Sequence, residues 1–188
     1  MFEHSALFPQ ARYRGVRWLR GMILIAILLF AACSSSNETA CRGANFGGCD
    51  LNGADLRGVL LDGQNLNEMN LRGVDFSGAS LKDATFYGSD LTGAKFERAN
   101  LMGAIFTYST LYRVNFDGAD LRGAKLIWAK AWKSSFSYAD LRGADLSGAQ
   151  LHFSNLTGAL IDGAVFNEHT NLTGTVLQDS PIDPDRGK

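Results

Sequence analysis

Three histidines and three cysteines in 188 residues leave little material for a metal centre. Past residue 33 only His152 and His169 remain, together with Cys41 and Cys49, and two thiols so spaced lack the two further ligands of a closed zinc site. Long apolar runs are also missing. Gly21 to Ala32 is a run of twelve residues, short of the ~20 that an ordinary membrane-crossing helix needs. No nucleophile motif occurs, and no glycine-rich phosphate loop follows a strand. Aspartates stand mostly one residue before a recurring Leu or Phe. Neighbours such as Asp140 and Asp145 therefore recur because the sequence recurs, and their proximity carries no acid–base signal. The expectation is a protein without enzymatic activity and without a cofactor.

What the chain does have is a register of five. Stepping by five from Phe46 to Phe166 gives 25 positions, of which 23 are Leu or Phe; Ala131 and Ile161 are the exceptions. Ala stands two residues before the register residue in 15 of the 25 cases and Gly two residues after it in 15, so the whole five-residue unit repeats. Such self-similarity marks a solenoid, an architecture that offers surface in place of a cleft.

Neither common element fits this period. On a helix, five steps advance by about 500°, and the large residues would spiral over every face. On a flat strand, an odd step sends successive large residues to opposite sides. A chain that turns a corner in every repeat meets both objections: the large residue points inward, the small one fits beside it, and Gly relaxes the corner. The Phe residues of the register count the sides. Phe46, Phe86, Phe106 and Phe166 fall in one column of step twenty, Phe76, Phe96, Phe116 and Phe136 in the column two sides away, and the intervening columns hold none. Four sides of five residues predict about six coils rising ~4.8 Å each, a rod roughly 30 Å long.

Units such as Ala54-Asp55-Leu56-Arg57-Gly58 and Ala119-Asp120-Leu121-Arg122-Gly123 resemble the pentapeptide repeat family. The resemblance implies an all-β fold, a right-handed quadrilateral β-helix, here over residues 44–178 with a C-terminal tail at 179–188. Gln64 and Met69 at the small position, and an extra residue between Phe166 and Leu172, are expected to loosen the second coil and the last turn. Some members of that family mimic duplex DNA and protect type II topoisomerases through a strongly negative, dimeric rod, and this is the alternative function the resemblance implies. Against it stands the charge. From Cys33 onward the chain carries 14 basic and 18 acidic residues, and Asp55, Asp120 and Asp140 are each followed two residues later by Arg57, Arg122 and Arg142. Opposite charges so interleaved cancel within a Debye length of about 8–10 Å. The expectation is a monomer that does not bind nucleic acid.

The N-terminal segment tells a separate story. Arg12, Arg14, Arg17 and Arg20 precede the apolar run and then Cys33, the order of a secretory signal over residues 1–32. Phe30-Ala31-Ala32-Cys33 is similar to the lipobox of bacterial lipoproteins. That resemblance implies lipidation of Cys33, residues 33–43 as a polar tether, and a place in the bacterial cell envelope, with the membrane as a partner. Ser34 after the cysteine implies the periplasmic face of the outer membrane in a host with two membranes. Two or three acyl chains hold a protein firmly where a single chain does not. In such an oxidising compartment Cys41 and Cys49 are compatible with a disulfide; Cys49, at a small-residue position, fits a buried free thiol equally.

One surface feature breaks the repeat. Outward positions are mostly small or charged, but between Tyr87 and Phe153 they become aromatic. Wrapping at twenty residues places Tyr108 on Trp128, Tyr112 on Trp132 on His152, and Arg113 on Lys133 on Phe153, with Tyr87 and Ile127 nearby, all along one edge. Aromatics flanked by cations have the composition of a binding hot spot, so an envelope protein or glycan is the expected partner. A packing role is the other reading, with Trp132 covering the volume missing at Ala131.

Overall fold

The computed structural model describes residues 51–177. Cys33, Cys41, Cys49, the signal-like segment and the C-terminal tail lie outside the described residues. Within them the backbone pairs in parallel with itself at a spacing of twenty, as in Asp55↔Asp75↔Lys95↔Asn115↔Ser135↔Asn155 and Leu60↔Ser80↔Asn100↔Asp120↔Asp140↔Leu160. Four such columns define the four sides. Each side presents a buried small residue, an outward bridging residue and a buried large residue, then turns. Only the bridging residue pairs across coils in the manner of a strand, so the β-structure is a stack of single bridges. The five-residue repeat leaves no room for extended strands.

From 51 to 164 the turns share one geometry, the turn at Met69 excepted. The carbonyl of the large residue accepts the N–H three residues on, as in Ala54 N–H to Leu51 O at 2.9 Å and Ala119 N–H to Phe116 O at 3.0 Å. The third residue of the turn has positive φ at every corner from 53 to 163, the conformation of a type II turn. We name the corners by their residues. Corner A carries 87–88, 107–108, 127–128 and 147–148; corner B carries 92–93, 112–113, 132–133 and 152–153; corner C carries 97–98, 117–118, 137–138 and 157–158; corner D carries 102–103, 122–123 and 142–143.

Two Phe stacks form the centre of the core. Phe76, Phe96, Phe116 and Phe136 stack face to face at 4.9–5.1 Å, and Phe86 stacks on Phe106 at 4.8 Å. The stacks meet edge to face at 5.7–6.2 Å. Leu columns fill the other two walls, and these rings are fully buried, each contributing roughly 1.5–3 kcal/mol.

Backbone accounting explains the Asp and Asn of the repeat. Four of the five N–H groups in a unit find carbonyls in the turn or in a neighbouring coil. The N–H just after the large residue does not, and where the bridging residue is Asp or Asn its side chain accepts it. Asp75 Oδ1 takes the Ser77 N–H at 3.0 Å, Asp90 the Thr92 N–H at 2.9 Å, and Asn155 the Thr157 N–H at 3.0 Å. A donor left unmet in a partly buried corner would cost about 1–3 kcal/mol.

The two irregularities expected from the sequence take definite forms. At Met69 the hydroxyl of Ser89 enters the turn, accepting from Met69 N–H at 3.3 Å and donating to Leu66 O at 2.6 Å. The extra residue lies in the turn 167–170, after which the pairing steps by twenty-one, Gln150↔Asn171 and Asn155↔Val176.

Arginines of the Asp-Leu-Arg units fold back on the capping aspartates. Arg122 Nη2 lies 2.6 Å from Asp120 Oδ2 and Arg142 Nη2 2.6 Å from Asp140 Oδ2. These guanidinium hydrogen bonds hold both carboxyls below the usual carboxylate range, and the same bond from Arg57 brings exposed Asp55 down to about 2. A depressed folded-state value means stability that is complete above the unfolded carboxylate range and is lost as pH falls toward the folded value. Urea-unfolding midpoints from pH 7 to about pH 2 should therefore fall on the acid side. Asp120→Asn with Asp140→Asn, which keeps the capping oxygen, should start lower at pH 7 and show a flatter acid limb.

Candidate functional site: two aromatic corners

The aromatic residues do not share one edge. Tyr87, Tyr108, Ile127 and Trp128 stand on corner A, whereas Tyr112, Arg113, Trp132, Lys133, His152 and Phe153 stand on corner B, one turn further along each coil. Between the corners runs a single side whose outward residues are Asp90, Thr110, Lys130 and Gln150. The sequence wrap merged the two because consecutive corners are only five residues apart. We call this side of the rod, polar between two aromatic corners, the trough, its corners the walls and its outward residues the floor.

The columns themselves differ in how they pack. On corner B, Trp132 lies between Tyr112 and His152, 5.7 Å from each, and the Arg113 guanidinium sits 5.1 Å over the Tyr112 ring. Trp132 is thus in contact with both column neighbours. On corner A the expected stack of Tyr108 on Trp128 gives way to two other contacts. Tyr108 meets Tyr87 edge to face at 5.8 Å, and Trp128 stacks at 5.5 Å on His169, a residue of the irregular turn.

Several of these side chains occupy the corner position that Gly fills elsewhere. Tyr108, Arg113, Trp128, Lys133 and Phe153 all have φ between 55° and 59°. Trp128 and Phe153 lean along the rod toward the next coil, where Gly makes the room. A Cβ on Gly148 would stand 2.6 Å from Trp128 Cδ2, and one on Gly174 would stand 2.7 Å from Phe153 Cδ1. Tyr138 obeys the same rule over Gly158 on corner C, where it is 72% exposed. Tyr138 was legible in the sequence as another large residue at the Gly position, though it stands on a different corner from the residues singled out there.

The floor of the trough departs from the repeat in a second way. Thr110, Lys130 and Gln150 replace the Asp or Asn that caps the following N–H. The N–H groups of Tyr112, Trp132 and His152 accordingly meet no acceptor among the described residues. His152 Nδ1 is buried without a partner as well. The ladder also opens here. Lys130 and Gln150 form no bridge, while the coils on either side bridge as Thr110↔Lys130 and Gln150↔Asn171. Two corner B hydrogen bonds are stretched, Arg113 N–H to Trp132 O at 3.3 Å and Lys133 N–H to His152 O at 3.2 Å. The cause is local. Ala131 supplies less inward volume than Leu, and three stacked rings fill the corner outside it.

Pentapeptide repeats match residues 40–78, 54–93, 86–123 and 124–163. The chain belongs to the pentapeptide repeat family. Proteins of this family are generally non-catalytic. Among solved structures the chain is similar to HetL of Nostoc sp. strain PCC 7120, a pentapeptide repeat protein involved in heterocyst differentiation regulation. The two share 25% identity over 72% of this chain and 81% of HetL, with a TM-score of 0.52. A pentapeptide repeat protein of the Arabidopsis thaliana thylakoid lumen shares 32% identity over 62% of this chain and 70% of its own, with a TM-score of 0.44. QnrB1, a plasmid-mediated fluoroquinolone resistance protein, shares 24% over 64% and 65%, with a TM-score of 0.39. The coil matches right-handed quadrilateral β-helix structures. No curated protein matches the sequence.

Pairing of a large corner residue with Gly one coil on yields a direct test. Gly148→Ala adds a methyl at positive φ and against the Trp128 ring, and should lower stability by about 1–3 kcal/mol. Gly123→Ala, with the same φ but nothing within 4 Å of its Cβ, should cost less. Thermal unfolding of the two variants measures the difference, and only Gly148→Ala should shift the tryptophan emission.

Proposed function

We propose that this protein is a non-catalytic binding rod of about six coils, held on the envelope membrane by acyl chains at Cys33, whose aromatic corners receive a partner. The observation that carries the binding half is the placement of Tyr108, Trp128 and Phe153. Each is substantially exposed at positive φ, where a non-glycine residue costs about 1–2 kcal/mol. Gly is the common residue at that position of the repeat. Large exposed rings kept in a strained conformation are better explained by a partner than by stability, and aromatic side chains flanked by cations are what partners engage most strongly. The bridging carboxylates of the repeat serve as turn caps and arginine partners, which removes them as acids or bases.

The anchoring half rests on the basic residues Arg12 to Arg20, the apolar run to Ala32 and the cysteine that follows. Labelled palmitate fed to cells making the full chain, with envelope fractionation, tests it. Label and protein together in membranes, both lost in Cys33→Ala, are the expected result; an unlabelled protein in the soluble fraction would remove the anchor from the proposal.

Tyr108→Gly separates binding from packing. If Tyr108 is kept for a partner, the variant should retain or raise the melting temperature, since relief of the strained φ offsets a lost edge contact. A stability loss above about 1 kcal/mol would assign the ring to packing.

A further inference from the structure

We infer that the trough between corners A and B binds an anionic polysaccharide lying along the rod. The inference rests on the binding reading above and names its ligand. Charge is the first ground. Arg113, Lys130 and Lys133 form no ion pair among the described residues, whereas Arg57, Arg72, Lys95, Arg122 and Arg142 each sit against an aspartate. Lys82, Arg98 and Lys125 are also without an ion pair among the described residues but stand apart on other corners and sides, whereas Arg113, Lys130 and Lys133 share one side and its corner. Asp90, paired with Arg72 at 3.0 Å, marks the lower end of the floor.

Hydrogen bonding is the second ground, and it is independent of charge. With Thr110, Lys130 and Gln150 on the floor, the Tyr112, Trp132 and His152 N–H groups are donors without acceptors, one per coil along the same wall. Coils repeat at about 4.8 Å, so the trough is a row of evenly spaced donors with cations beside it. A ligand that matches it carries oxygen acceptors at regular intervals and negative charge.

The same inventory discriminates among polymers. An extended peptide strand brings an N–H for every carbonyl and needs acceptors in return; the spare backbone groups at Tyr112, Trp132 and His152 are donors. Single-stranded nucleic acid gains most of its sequence-tolerant affinity by stacking bases on open aromatic faces. Here Trp132 stands between Tyr112 and His152, and Trp128 lies against Gly148 and His169, so neither tryptophan is an open stacking platform; the oligothymidylate comparison tests the exposed Tyr108 and Phe153 rings. A carboxylate-bearing glycan needs neither. Its carboxylates and ring oxygens accept, its hydroxyl hydrogens turn to water, and the ring edges act as walls.

Isothermal titration of the full chain with oligogalacturonate, a probe with one carboxylate per sugar, tests this. The comparison ligands are a neutral cello-oligosaccharide, oligoglutamate and oligothymidylate. Oligogalacturonate should bind best, with an affinity that falls as salt rises. Lys130→Asn restores a cap for the Trp132 N–H and removes a cation; it should weaken binding by about tenfold or more while raising the melting temperature. Arg113→Gln with Lys133→Gln should weaken binding with no gain in stability, and Arg98→Gln, on corner C, should bind as the unaltered protein does. The inference is overturned if the neutral sugar binds equally well, or if Lys130→Asn and the Arg113/Lys133 variant bind oligogalacturonate unchanged. Preference for oligoglutamate would discard the glycan and keep a binding rod, with Tyr108→Gly still deciding whether its rings serve packing.

Discussion

A left-handed backbone conformation is required once in every five residues, and the rest of the molecule follows from meeting that requirement. Positive φ at the third turn position closes each corner; closing each corner makes four short sides; four short sides bring every residue beside its equivalent twenty positions on. The Phe stacks, the bridge columns and the turn caps are consequences of that geometry. Where the corner residue is Gly the conformation is nearly free. Where it is Glu68, Asp83, Arg98 or one of the aromatic residues, the surrounding coils must hold it.

How the coils do so ties surface to interior. Some large corner side chains lie along the axis over a Gly one coil on, as Trp128 does over Gly148 and Tyr138 over Gly158. Inside, Ser134 and Ser154 reach back to the turns of Leu111 and Ala131, donating to their carbonyls and accepting from Val114 and Ser134 N–H. These are turns whose corner residues are Arg113 and Lys133. Hydroxyls in the small-residue column thus brace corners that lack Gly, and replacing Ala by Ser at those two sites is tied to the aromatic wall outside.

Much of this was legible in the sequence. Spacing alone placed the large residues inside, counted four sides and put Phe stacks on opposite walls. Tyr112, Trp132 and His152 were correctly aligned by wrapping at twenty. The division of the aromatic residues between two corners was not seen, because a wrap orders residues along the axis without marking where each side ends. Nor could composition show that Trp128 leans over Gly148 and onto His169, since that contact depends on a turn lengthened by one residue. The unbridged pair Lys130 and Gln150 was hidden for a related reason: it arises from Ala131 and three rings acting together. Replacement of Asp or Asn at Thr110, Lys130 and Gln150 was visible throughout, but its meaning required knowing which N–H each cap serves.

The nearly uniform interior has a consequence for how such a chain can change. Leu or Phe lines all four walls, so a deletion of one five-residue unit would keep a large apolar residue at nearly every inward position, with Phe moved onto Leu walls, while turning everything after it by a quarter revolution. Tyr112 and Trp132 would then face different directions, and the trough would cease to exist although the rod still folded. It is therefore the outward pattern that makes lengths other than multiples of twenty intolerable. A lineage of such rods can lengthen or shorten by whole coils without losing its working face, and can abolish or re-aim that face by a single unit.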